Sequence, residues 1–90
     1  MDPPTVLRQE IKIPVGSVDI RNIIMNRIFG VNEPSLQNRA IFEVEAQRAI
    51  GYIEGRIGHG DVTLKVVGED NVVRTIEVIQ AGRQTECFSF

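Results

Sequence analysis

Cysteine is nearly missing. Cys87 is the only one in 90 residues, which excludes an internal disulfide and any thiolate cluster around a metal. Histidine is equally scarce, with His59 standing alone, whereas metal sites need three or four converging ligands. Long apolar runs are lacking too: nowhere do about 18 apolar residues follow one another, so no membrane-spanning helix is expected. The first ten residues, MDPPTVLRQE, have neither the basic n-region nor the apolar h-region of a secretory signal. Charge of one sign is not in excess. Ten basic residues face 12 acidic ones and neither forms a run, so no electrostatic footprint for nucleic acid or an anionic membrane is present. No internal repeat, low-complexity segment, nucleotide loop or nucleophile elbow is found. These absences lead to a cytoplasmic, non-enzymatic chain with no cofactor, no metal and no small-molecule substrate.

Ninety residues make one domain with a single modest core, and chains this short keep little margin over the entropy of ordering them. The most informative stretch is Ser35 to Ile57, which reads as one long helix. At about 100° per residue, Phe42, Ala46, Ala49, Ile50, Ile53 and Ile57 gather on one face. A second, weaker stripe runs along the opposite side: Ala40, Val44, Gly51 and Gly55, with Ile41 and Tyr52 beside them. A helix apolar on two sides needs two supports. One is its own sheet; the other is a second helix or another chain.

In chain order, Asp2-Pro3-Pro4 predicts a loose arm. Val6 to Val15 alternates as a half-buried strand, with Leu7, Gln9, Ile11, Ile13 and Val15 on one side and Pro14 confined to its end or to a sheet edge. Gly16-Ser17 turns the chain, Ser17 is the expected N-cap, and Asp19 favours the positive end of the helix dipole. The helix Val18 to Phe29 then carries Ile20, Ile23, Ile24 and Ile28 on one side and Arg21, Asn22, Asn26 and Arg27 on the wet side. Gly30 is a left-handed stop. The short connection Val31 to Pro34 places the two helices side by side and antiparallel, with Ser35 as the next cap. After Gly58-His59-Gly60-Asp61, Val62 to Val67 and Val72 to Ile79 form a hairpin turning at Gly68 to Asn71. Beyond Ala81-Gly82-Arg83, residues 84–90 supply a last edge strand or stay extended until something pairs with them. The expected fold is α+β, in the order β-α-α-β-β with a possible further strand, two antiparallel helices packing on a small, mainly antiparallel sheet.

Gly51 and Gly55 each cost about 1 kcal/mol against alanine inside a helix. Their bare backbone admits the first helix of this chain or another subunit, or else marks a kink or an early helix end. Phe88 and Phe90, two apart, share one side of an extended segment. They either finish the core or belong to a strand offered to a neighbour by β-augmentation. His59 is a ligand or general base on one reading and a solvated turn residue on the other. Cys87 is a nucleophile only if something lowers its pKa, and no basic residue is closer in sequence than Arg83, which favours a structural thiol. Glu43, Glu45 and Glu54 read as a solvated face, with Glu45 in reach of Arg48. Gly58 and Gly60 make too short a glycine pattern for a phosphate cradle.

Glu33-Pro34, the helix with Arg39, Glu45, Ala49 and Ile50, and the exit Glu54-Gly55-Arg56-Ile57 into a hairpin resemble the C-terminal half of the baseplate-wedge, or tail-lysozyme-like, family of contractile phage tails and type VI secretion systems. In that family a Glu-Pro precedes the helix and a Glu-Pro-Arg-Ile-like exit leads to strands. Here Gly55 replaces the proline, and the family's Gly-Glu-Arg segment is missing, with only Phe29-Gly30 like the Phe-Gly that follows it. The resemblance implies a non-enzymatic assembly subunit whose strands start an interwoven sheath. The alternative is a small monomeric regulatory binder or inhibitor of a larger enzyme, and a third reading is a small ligand-binding domain or enzyme whose chemistry rests on His59 or Cys87. For the assembly subunit and for the binder the expected contact residues are Ala40, Val44, Gly51 and Gly55 on the helix and Phe88 and Phe90 at the end.

Overall fold

The computed structural model describes residues 6–28, 36–69 and 72–90, and among these the side chains of Leu7 and of residues 36–43 are not described. The early proline arm, the Gly30 stop, the connection to Pro34, the Ser35 cap and the tip of the hairpin at Asp70-Asn71 all lie outside the described residues.

The chain forms β1 (Val6–Ile13), α1 (Ile20–Arg27), α2 (Leu36–Ile57), β2 (Val62–Glu69), β3 (Val72–Gln80) and β4 (Arg83–Ser89). The strands make one four-stranded sheet in the order β1-β2-β3-β4, antiparallel throughout. This is the expected α+β architecture, with residues 83–89 supplying the last strand.

The sheet has one apolar face. Ile11 pairs with Leu64 and Ile13 with Val62, while Leu64 pairs with Val78 and Val66 with Ile76. Directly opposed residues point to the same side, so these side chains form a continuous surface, and all are buried. Two irregularities adjust the alternation, one between Val67 and Gly68 against β3 and one between Val78 and Ile79 against β4. The first lets Val73 and Ile76, three apart, both face the core, as an extra residue in one strand resets the pleat. It also explains Gly68, which belongs to β2 and not to the turn: a Cβ there would stand 3.0 Å from the carbonyl oxygen of Val72.

Against this surface α2 lays Ala49, Ile50, Ile53 and Ile57, with Ala46 also buried, and α1 and its C-cap add Ile24 and Ile28. Fully burying one such isoleucine is worth about 1.5–3 kcal/mol, so this face of α2 fixes how the helix lies on the sheet. Arg21 near the start of α1 comes within 3.8 Å of Glu54 near the end of α2, as expected for antiparallel neighbours. The opposite face of the sheet is uncovered among the described residues. Across it Glu10, Lys65 and Glu77 line up through the register, a row of alternating sign worth a few tenths of a kcal/mol per pair.

Several local expectations are corrected. Strand β1 stops at Ile13, and Val15, expected on its buried side, is 58% exposed because the chain has already turned at Pro14. Ser17 is not the helix cap: its hydroxyl donates to the carbonyl of Pro14 at 2.7 Å, closing the turn behind it. The residue at the cap position is Asp19, in the left-handed region at φ 54° and with no side-chain cap bond. Helix α1 therefore begins at Ile20, two residues later than the apolar spacing implied, and Val18 is left 79% exposed. The turn is tied down from afar by Asp61, whose carboxylate accepts the Val15 amide at 2.7 Å.

Candidate functional site

A helix lying on a sheet shows the solvent the side its core residues do not use. On α2 that side carries Val44, 62% exposed, followed about two and three turns later by Gly51 and Gly55. All three are exposed. A methyl group built at either glycine would meet nothing within 4 Å. Among the described residues, therefore, no element of this chain comes close to them, which corrects the expectation that α1 packs against the glycines. An early helix end is excluded as well, because α2 continues through both positions to Ile57. Ala40 lies on α2 and Ile41 follows it, but their side chains are outside the described set.

The charged groups on and beside this strip are internally paired. Arg48 donates to Glu45 at 3.1 Å, three residues away on the same helix, as its spacing implied, and Glu54 faces Arg21. Both pairs are exposed, where such bridges are worth at most about 1 kcal/mol, so they shape the border more than they hold the fold. By the same spacing Arg48, four residues after Val44 and three before Gly51, projects from the strip itself, its guanidinium bonded to Glu45; the rest of the strip is one valine and the bare backbone of the two glycines.

Tyr52, placed beside this strip by the helical spacing, does something else. Its ring meets Phe88 edge-on at 5.8 Å between centroids, its hydroxyl donates to the Thr85 carbonyl at 3.2 Å, and the Arg56 guanidinium lies 5.2 Å from its centroid. It thereby pins α2 to β4. No feature of the sequence pointed to that contact, because it depends on which strand lies under the helix.

The terminal rings are claimed by the fold. Phe88 is 7% exposed and part of the core; it sits opposite Ile76. Phe90 packs on the same core, partly buried, and its amide donates to the Arg74 carbonyl at 2.8 Å. Of these two expected contact residues, Phe88 is buried in this chain's own core and Phe90 leans on that core while staying partly exposed, because the turn at Ala81-Gly82 brings residues 83–89 back along β3. Both central residues of that turn have positive φ, 53° and 75°, the signature of a tight type I′ hairpin.

The sheet margins are β1 and β4. Arg8, Glu10 and Lys12 are exposed along β1, as are Arg83 and Glu86 along β4, and β4 also carries the second irregularity. Charges and bulges at a margin discourage further strand pairing.

His59 is exposed in the turn that ends α2, its amide bonded to the Arg56 carbonyl at 2.9 Å. Gln80 donates to that same carbonyl at 2.9 Å, so the last turn of the helix is closed by backbone and by β3. Cys87 is an exposed free thiol on the side of the sheet away from the helices, opposite Glu77. Among the described residues no three His, Cys, Asp or Glu side chains converge on a possible metal position, and no helix is long and apolar enough to cross a membrane. Comparison of the chain with models of known protein families, with curated proteins and with solved structures finds no match.

Proposed function

We propose that this chain is a non-enzymatic assembly subunit that docks on another protein through the outer face of α2. The observation that carries the reading is the exposure of Val44, Gly51 and Gly55 on one side of α2, with no described element of the chain against the glycines. Two glycines in a helix cost stability, and no close approach within the chain accounts for them among the described residues. A partner backbone seated over them does. Val44 then fills a hollow on the partner, and Arg48, between Val44 and Gly51 on the same face, supplies a charged contact within the docking surface. The similarity of Glu33-Pro34 and of the Glu54 to Ile57 exit to the baseplate-wedge family gives the proposal its concrete form, a component that helps to start the sheath of a contractile tail-like machine. The helix face is preferred to β-augmentation because the terminal rings are spent on the core and both sheet margins carry charges.

The test is Val44→Glu, followed by sedimentation velocity over a concentration series and by titration with the products of tail or secretion genes adjacent to its own. Assembly should be lost while the circular dichroism spectrum and melting temperature stay those of the wild type. An assembly that survives Val44→Glu overturns the helix-face reading. A wild-type chain that sediments as a monomer and binds none of those products overturns the assembly reading.

A further inference from the structure

We draw no further inference here: the strongest candidate, the exposed strip of Val44, Gly51 and Gly55 along the outer side of α2, belongs to the site already described, and nothing in the structure shows what covers it.

Discussion

Replacing Gly51 and Gly55 together by alanine should move folding and docking in opposite directions. In a helix interior glycine is about 0.8–1.0 kcal/mol worse than alanine. The added methyl groups meet nothing within 4 Å, so no clash offsets the gain. Gly51 lies well inside α2 and should return nearly the full amount. Gly55 is in the last turn before Ile57, where helix ends fray, and should return about half. The sum is about 1.5 kcal/mol, and for a domain of this size about 4–8 °C of melting temperature accompanies each kcal/mol, giving an increase of roughly 6–12 °C. Docking should respond in the other direction. If a partner's backbone rests on these positions, two methyl groups overpack the contact at a cost of about 1–3 kcal/mol, a weakening of roughly fivefold to 150-fold. Calorimetry and sedimentation on the same preparations read both effects. A fall in melting temperature would show that some part of this chain presses on the glycines, and the bare outer face of α2 would be refuted. A more stable variant that associates as strongly as the wild type would leave the fold intact but remove the reason for having glycine there.

Phe88→Ala removes a ring from the core and its edge contact with Tyr52, so urea denaturation should show a loss of about 3–5 kcal/mol; a change under about 0.5 kcal/mol would return the ring to the surface. Ala81→Asn places a residue suited to positive φ at the first position of the β3-β4 turn, and should raise stability by up to about 1 kcal/mol in the same assay. Asp61→Ala takes the acceptor from the Val15 amide. The expected cost is about 1–2 kcal/mol, with faster hydrogen exchange at Val15 as its specific sign. Val44→Glu, the docking variant, should change unfolding free energy by less than about 0.5 kcal/mol because its side chain is exposed.

The parts of the fold legible in the sequence are those where one periodicity persists. The spacing of Ala46, Ala49, Ile50, Ile53 and Ile57 leaves one solution for the second half of α2, and Val62, Leu64 and Val66 do the same for β2. Legibility fails where a single local geometry decides. Ser17 looks like a cap, yet its hydroxyl has a nearer acceptor in Pro14, and the helix waits for a strained Asp19. Gly68 looks like a turn residue because turns and bulges both recruit glycine, and only the approach of the Val72 carbonyl separates them. The terminal strand hinged on Ala81, an unusual residue for a left-handed position, so nothing in the sequence announced a tight turn. For the candidate site, helical spacing put Val44, Gly51 and Gly55 on one face, and all three are exposed; it passed over Arg48, which shares that face. Which neighbour left that face bare required the position of α1.

The sheet order has a mechanical corollary. Arg8 pairs with Val67, Val67 with Thr75 and Thr75 with Ser89, so the start of β1 and the finish of β4 emerge at the same end of the sheet, on its two outer margins. With strands about 4.8 Å apart, roughly 14 Å separates them. A load applied between these points acts across the strands, so ladder bonds break in succession, as in a zipper, instead of yielding together in shear. Held in that way the domain should give at low force. A subunit that must bear tension without opening would have to be gripped elsewhere, and a hold along the back of its long helix spares the weak direction.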